Sequence, residues 1–257
     1  MRYKEYKRVV IKIGSNILTE ENGKLDLNNL RHLVEQIAAI HLKGIEVCVV
    51  TSGAQVCGSE KLGILPKSIP EKQAVAAIGQ SLLMNEYNRF FSVKGITIGQ
   101  LLLTHDGLSH NERYINAQNT LLTLINGKVV PIINENDSVV VDEIKFGDND
   151  SLSVYVTELV NANALIILTD IDGLYSMDPR KFDNAELIAE VSEISAQLLD
   201  GCGTSTSGKG TGGMYSKVCA AKKAVDLGVN VIIANGRRKN VIFDIFSGEK
   251  VGTKFLV

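Results

Sequence analysis

The stretch RVVIKI at residues 8–13 is a strand-like run of mostly apolar residues without polar alternation. Apolar strands of this kind are buried on both faces, which is typical of a parallel sheet covered by helices. Amphipathic helical patterns separate the runs, and Asp26 is placed to cap the first of them. The alternation predicts an α/β fold, a three-layer αβα sandwich with a central, mainly parallel sheet. The later strand-like runs are IEVCVV (45–50), TIGQLLLT (97–104), VVPII (129–133), ALIILT (164–169) and VNVIIAN (229–235).

The composition is that of an ordinary globular protein and favours small-molecule partners. The chain has 257 residues, 45% of them hydrophobic, and its 27 Lys+Arg against 29 Asp+Glu give a net charge of −2. This charge provides no basic surface for nucleic acid or an anionic membrane. No apolar run approaches the roughly 20 residues of a membrane span, and the N-terminus has no signal-peptide pattern. We expect one cytoplasmic domain over residues 1–257, with four reduced, structural cysteines.

Residues 203–217 read GTSTSGKGTGGMYSK, which has too little apolar surface to be core. Gly208, Gly210 and Gly213 satisfy the dinucleotide pattern G-x-G-x-x-G, and a helical repeat follows from Met214 to Leu227. The segment before them, LLDGCGTSTS, is interpreted as a loop, whereas the dinucleotide motif needs a strand there. Dinucleotide binding is therefore not favoured. Free N–H groups at a helix N-terminus with lysines nearby favour phosphate binding, and an ordinary surface loop is the alternative.

Small and polar residues follow several of the strand-like runs, and these positions predict a site. In open α/β sheets, ligands bind beyond the carboxyl ends of the strands. Each of these positions, taken alone, is explained equally well by a turn or a helix cap. Their number, however, indicates a common site. The segment VVVDEIKFGD (139–148) alternates and is predicted to form a hairpin or flap. The polar positions after strands are Gly14-Ser15, Thr51-Ser52-Gly53, Asn134–Asp137 and Thr169-Asp170, and Gly147–Asp150, which precedes a helix, is added to them.

Six segments, IKIGSN, VTSGA, INENDSV, FGDND, LTDIDGLYSMDPR and GTGGMYSK, occur in this order over most of the chain. Together they resemble the amino-acid kinase family, and the K-x-G-S and G-D-N-D patterns favour its glutamate-acting branch. The resemblance implies ATP and Mg²⁺ as co-substrates and L-glutamate as acceptor. The product would be L-glutamyl 5-phosphate, in the first step of proline biosynthesis. It also implies that the N-terminal part binds glutamate and that the part from about 165 to 257 binds ATP.

The resemblance assigns roles to particular residues. Lys12 and Lys217 would be the catalytic cations, and Asp150 would hold them in place. A lysine within VVIKIG is otherwise costly to bury. Asp148 would help to position either the substrate or a metal, and the sequence does not say which. The glutamate-binding positions implied are Ser52, Gly53, Asn134, Asp137 and Asn149. The ATP-binding positions are Lys12, Gly14, Thr169, Asp170, Thr211, Gly212, Gly213, Met214, Tyr215, Ser216 and Lys217; no residue is assigned to a metal, since Mg²⁺ arrives with ATP.

The chemistry implied needs charge compensation rather than a base. The side-chain carboxylate of glutamate has a pKa of about 4.3 and is already ionised near neutrality. Phosphoryl transfer to it depends on positioning and on overcoming repulsion between two anions. The two lysines suit that task, and no histidine occurs in the six segments.

Two further interpretations are compatible with the sequence. One is a family member with another acceptor, such as an acetylglutamate, aspartate or UMP kinase. The second is a non-catalytic sensor of amino acids or nucleotides on the same fold. We expect a homo-oligomer, a dimer or tetramer. We also expect the kinase domain without the further C-terminal domain that many members carry, since the sequence reaches GTKFLV about where the kinase domain ends.

Overall fold

A computed structural model describes residues 6–139, 149–202 and 213–257. Its centre is one eight-stranded sheet with the order β3-β4-β2-β1-β5-β7-β8-β6. Neighbouring strands are parallel throughout, except that β7 and β8 are antiparallel. The predicted central, mainly parallel sheet is confirmed. The strands are β1 Arg8–Ile13, β2 Glu46–Thr51, β3 Ile98–Leu103, β4 Val130–Glu135, β5 Ala164–Thr169, β6 Glu190–Val191, β7 Asn230–Asn235 and β8 Thr253–Phe255.

Helices cover both faces of the sheet. Val9, Ile11 and Ile13 of β1 pack into a buried cluster with α1, α3 and α9, whereas Val10 packs into a second cluster with α5, α6 and α8. The three-layer arrangement follows from this alternation along a buried strand. The helices are α1 Leu27–Leu42, α2 Ala54–Leu62, α3 Ile69–Ser92, α4 His105–Ser109, α5 Asn111–Asn126, α6 Asn149–Leu159, α7 Ala196–Gly201, α8 Met214–Asp226 and α9 Val241–Ser247, with a 3₁₀ turn at Ser15–Ile17.

Helix starts follow the local sequence signals. The Asp26 carboxylate accepts the N–H of Asn29 at 2.9 Å, which confirms the predicted cap of α1. Helix α3 begins with a reciprocal capping box between Ser68 and Glu71 and has Pro70 in its first turn. Side chains in the first turn therefore fix where both helices begin.

The structure corrects one interpretation of the sequence. The segment LLDGCGTSTS was interpreted as a loop, but its first residues belong to helix α7, which begins after a Ser195 side-chain cap. The described residues up to Cys202 form helix α7 and not the strand that a dinucleotide motif needs before its glycines, whereas residues 203–212 lie outside the described ranges. The predicted hairpin at 139–148 lies, apart from Val139, outside the described residues. No helix in the described ranges is long and apolar enough to cross a membrane.

Candidate active site

The carboxyl ends of the parallel strands meet at one edge of the sheet. Strand β1 is central, and its Lys12 lies in register between Val50 of β2 and Ile167 of β5. Residues that leave these strands therefore lie side by side, as the sequence predicted. Gly14 follows β1, Ser52 follows β2, and Asn134 and Thr169 lie at the ends of β4 and β5.

A buried charged cluster forms beyond the end of β1. Lys12 Nζ lies 2.6 Å from Asp150 Oδ1, and Lys217 Nζ lies 3.1 Å from Asp150 Oδ2. The Ser216 hydroxyl donates to Asp150 Oδ2 at 2.8 Å. Asp150 is fully buried, and Lys12 and Lys217 are only 4% and 5% exposed. We call Lys12, Asp150, Ser216 and Lys217 the charged cluster.

Three separate elements bring the charged cluster together. Lys12 shares the face of β1 that packs against α6 and α8, because side chains two apart along a strand share a face. Asp150 lies in the first turn of α6, and Lys217 lies one turn into α8, after Gly213. Because α6 and α8 pack on the same side of β1, Lys12, Asp150 and Lys217 are in contact although they are far apart in the sequence.

The electrostatics of the cluster favour an anionic ligand. Burial by itself raises the pKa of a carboxyl, but the charges of Lys12 and Lys217, with hydrogen bonds from Lys12 and Ser216, hold the pKa of Asp150 below its ordinary value. The carboxylate is therefore ionised at neutral pH. One carboxylate facing two ammonium groups leaves the cluster with excess positive charge.

A second set of polar side chains lies beside the charged cluster. The two hydrogens of Asn149 Nδ2 are shared among three acceptors, the Thr51 carbonyl at 2.7 Å, Ser52 Oγ at 2.9 Å and Asn134 Oδ1 at 2.9 Å. Asn134 donates in turn to Gln80 Oε1 of α3 at 2.8 Å. We call these side chains, Gln80, Asn134, Asn149 and Ser52, the amide network. Because Asn149 and Asp150 are adjacent in α6, the network and the charged cluster are held by one helix start.

The glycines predicted at the site have different surroundings. Gly53, the residue before α2, has a φ of 103°, a backbone conformation that residues with side chains rarely adopt. The N–H of Gly14 donates to the Leu168 carbonyl at 3.3 Å, a long sheet-like bond. A methyl group on Gly14 would lie 3.6 Å from Lys12 Nζ, so glycine keeps the approach to that ammonium open.

The exits of β5 and β7 form a third polar group. The Thr169 hydroxyl donates to Asp170, and the Asn16 amide donates to the same carboxylate at 3.2 Å. Asn235, at the end of β7, donates to Asp172 at 2.9 Å. The sequence predicted Thr169 and Asp170 here but not Asn16 or Asn235.

The structure brings together most of the predicted residues that it describes. Gly213 and Tyr215 are exposed and Met214 is half-buried at the start of α8, and Asp137 is half-buried just beyond β4. Thr211, Gly212 and Asp148 lie outside the described residues. Ser216 was predicted on the nucleotide side, and the structure adds its hydrogen bond to Asp150. Gln80 was missed, because a glutamine within an amphipathic helix gives no signal. Within the described ranges, no group of three or more His, Cys, Asp or Glu side chains could hold a metal.

The sequence matches the model of the amino acid kinase family over residues 7–235. It is 51% identical to the glutamate 5-kinase of Thermoanaerobacter sp. (strain X514) over 251 residues, which is 97% of this chain and 68% of that protein. It is 48% identical to the glutamate 5-kinase of Clostridium tetani (strain Massachusetts / E88) over 98% of this chain and 95% of that protein.

Solved structures with the same fold are more distant in sequence. UMP kinase from Bacillus anthracis superposes with a TM-score of 0.67 at 18% identity, covering 98% of this chain and 97% of the other. Isopentenyl phosphate kinase from T. acidophilum gives 0.65 at 18% identity, covering 96% and 99%. At such identities the likeness concerns the fold alone.

Proposed function

The chain belongs to the amino acid kinase family, and from that premise we propose that it transfers the γ-phosphoryl group of ATP to the side-chain carboxylate of L-glutamate. The product is L-glutamyl 5-phosphate, and the reaction is that of a glutamate 5-kinase, the first step of proline biosynthesis. Its glutamate 5-kinase relatives share about half of its residues over nearly its whole length. The observation that carries the proposal is the convergence of two buried ammonium groups, Lys12 and Lys217, on Asp150 at the end of the central strand.

The reaction needs two anions to approach each other. The glutamate carboxylate attacks the γ-phosphorus, the bond from phosphorus to the bridging oxygen breaks, and ADP leaves with the electron pair of that bond. Lys12 and Lys217 lower the repulsion and stabilise the charge that develops on the transferring group. Asp150 stays ionised and holds both ammonium groups in place. No proton has to be removed from the acceptor, so the site works without a general base.

The amide network is the proposed glutamate subsite. Ser52, Asn134 and Asn149 present hydroxyl and amide groups, which suit the α-carboxylate and α-ammonium of an amino acid. Asp137 is a carboxylate of the kind that pairs with the α-ammonium group. Gly53, at the start of α2, allows close approach of a ligand to the backbone. These residues lie in the N-terminal part of the chain or, for Asn149, next to Asp150.

The nucleotide is assigned to the C-terminal part, residues 165–257. Thr169 and Asp170 lie at the end of β5, and the start of α8 supplies free N–H groups and Lys217 for the phosphates. Lys12 and Gly14 face the same phosphates from β1. Mg²⁺ enters as part of the MgATP co-substrate. The ATP-binding residues proposed on α8 and before it are Thr211, Gly212, Gly213, Met214, Tyr215, Ser216 and Lys217.

An acceptor panel tests this function. ADP release by the purified chain is measured with MgATP and, separately, glutamate, N-acetylglutamate, aspartate and UMP. Glutamate is expected to support turnover far above the others. Absence of glutamate-dependent turnover would refute the proposal. Turnover with another acceptor would indicate another branch of the family, and no turnover with any of the acceptors would favour a sensor. Assembly into a homo-oligomer and a cytoplasmic location stay predictions.

A further inference from the structure

Helix α3 contributes a buried polar side chain that has no assigned role. Gln80 is only 8% exposed, and its Oε1 accepts the hydrogen bond from Asn134 Nδ2 at 2.8 Å. Asn134 in turn contacts Asn149, which begins α6 next to Asp150. Gln80 therefore lies at the far end of a chain of amides that leads to the proposed glutamate subsite.

Backbone groups fix which way each amide of this chain faces. The N–H of Glu135 donates to Asn134 Oδ1 at 2.9 Å, so this oxygen is the acceptor and the Asn134 Nδ2 faces Gln80. The carbonyl of Thr51 accepts from Asn149 Nδ2, which makes that nitrogen the donor toward Asn134. Only an acceptor at Gln80 completes the pattern. Without it, Asn134 Nδ2 would lose its acceptor, and the amide would be held through its oxygen alone.

The other end of the Gln80 amide argues against a role in packing. Its Nε2 is buried and has no hydrogen-bond partner among the described residues. A buried donor without a partner destabilises the folded protein, and an apolar side chain of the same size would avoid that cost. The presence of a glutamine here is therefore better explained by the hydrogen bond that its oxygen accepts from Asn134 than by a contribution to the stability of the fold.

The backbone of α3 next to Gln80 packs closely against the start of α2, beside the proposed glutamate subsite. A methyl group on the preceding Gly79 would lie 1.7 Å from the Ala54 carbonyl, in the first residue of α2. Helix α3 therefore touches the start of α2 directly, beside Gly53 and Ser52. Gln80 is fixed relative to the exits of both β2 and β4.

We propose that Gln80 is a positioning residue of the glutamate subsite, which holds the Asn134 amide so that Asn134 and Asn149 are oriented for the acceptor. The inference rests on the proposed function and deepens it. Gln80 acts through Asn134 rather than on the reacting atoms. Its loss should weaken glutamate recognition and leave the nucleotide side unchanged.

Steady-state kinetics of Gln80→Met test the proposal, because methionine keeps the size of the side chain and removes the acceptor. The KM for glutamate is expected to rise about tenfold, the effect of one buried hydrogen bond, while the KM for MgATP stays within about twofold. Asn85→Met, on an exposed position of the same helix, is the control and should match wild type in both constants. A Gln80→Met enzyme with an unchanged KM for glutamate, or with both KM values raised equally, would overturn the proposal.

A double-mutant cycle with Asn134→Ala shows whether Gln80 acts through Asn134. Once Asn134 is alanine, replacing Gln80 should have no further effect on the KM for glutamate, whereas additive effects would contradict the proposal. If Gln80→Met does not fold, Gln80→Ala carries the same test, because it removes the acceptor without placing an apolar group against Asn134. The acceptor that wild type uses is established first, and the cycle is run with it. Failure of the proposed function is thus seen in wild type, and failure of this inference only in the variants.

Discussion

Lys12 shows what a charged side chain needs in order to lie inside a sheet. It occupies the central strand, has almost no exposure, and contacts Asp150 at 2.6 Å. A buried ammonium without a partner costs roughly several kcal/mol, and even a buried ion pair is often no more stable than apolar residues of the same volume. Two ammonium groups around one carboxylate are less favourable still. An anion bound there, as proposed for the phosphates of ATP, would offset this excess of positive charge.

The pH dependence of stability should report on Asp150. The folded protein holds the pKa of Asp150 below its ordinary value of 3.8, so the unfolded chain takes up this proton first as the pH falls. The stabilisation from Asp150 is therefore present above about pH 4 and lost as the pH falls below it. Asp150→Asn should lower the free energy of unfolding at pH 7 by about 3 kcal/mol, because it leaves two buried cations unneutralised. The substitution should also reduce the decline in the free energy of unfolding as the pH falls, as measured by urea unfolding between pH 7 and pH 3.

Asp226→Asn is the matched control for this measurement. Asp226 pairs with Lys222 on the exposed face of α8 at 3.3 Å, and exposed pairs contribute only about 0–1 kcal/mol. The free energy of unfolding of the control should fall with pH as steeply as that of wild type. If Asp150→Asn shows the same decline as the control, the carboxylate does not supply the stabilisation assigned to it.

The sequence predicts the residues of this site where their position is unusual. A lysine in the middle of VVIKIG needs a charged partner if the strand is buried, and the N-D pair at a helix start adds a carboxylate to the polar strand exits. Lys12 contacts Asp150, as the resemblance implies, and Asn149 lies beside Asn134, another position that the resemblance assigns to glutamate. Gln80 and Asn235 could not be predicted in the same way. A glutamine on a helix and an asparagine after a strand are ordinary in solvent, and only the packing of α3 and the register of β7 show where they point.

Among the helices, α2 and α3 approach each other unusually closely. A methyl group on Gly58 would lie 1.8 Å from the Val75 carbonyl, and one on Gly79 would lie 1.7 Å from the Ala54 carbonyl. Only glycine permits backbones to come this near. The contact fixes α2, and with it the Ser52-Gly53 turn, against the helix that carries Gln80.

Gly79→Ala is expected to break this contact. The added methyl group meets a carbonyl oxygen that belongs to a helix and cannot move aside, so overpacking should lower the free energy of unfolding by about 2 kcal/mol. The KM for glutamate should rise as well, because the exit of β2 shifts. Gly201→Ala, at the end of α7 with open space around it, is the control and should unfold like wild type. Equal stability of the two variants would mean that the helices separate at no cost.

Long elements are predictable here and short ones are not. Strand β5 was predicted with its exact limits, because ALIILT is an uninterrupted buried run. Strands β6 and β8 have two and three residues, too few for any periodicity, and β8 is held by pairing with β7. Helix α2 was missed because AQVCGSEKL has few apolar residues and is held by the glycine contact with α3. Where tertiary contacts define an element, its own sequence carries little signal.

The whole molecule places two kinds of polar surface on one edge of a single sheet. Strands β2 and β4 lead into the amide network, whereas β5 leads to Thr169 and Asp170. Strand β1 lies between them and contributes Lys12. This order would put the acceptor on one side of the central strand and the nucleotide on the other. The transferring phosphoryl group would then lie over β1, where the charged cluster is.

Thermal unfolding with each ligand separately tests this division. A ligand at about 100 times its Kd stabilises the folded state by about 2.7 kcal/mol, so glutamate and MgATP should each raise the unfolding temperature of wild type. Asn149→Ala should lose the shift with glutamate and keep the shift with MgATP, and Lys217→Ala should do the reverse. Lys222→Ala, on the exposed face of α8, should keep both shifts. If either variant at the site loses both, the two ligands share one subsite, and the separation of acceptor and nucleotide about β1 is wrong.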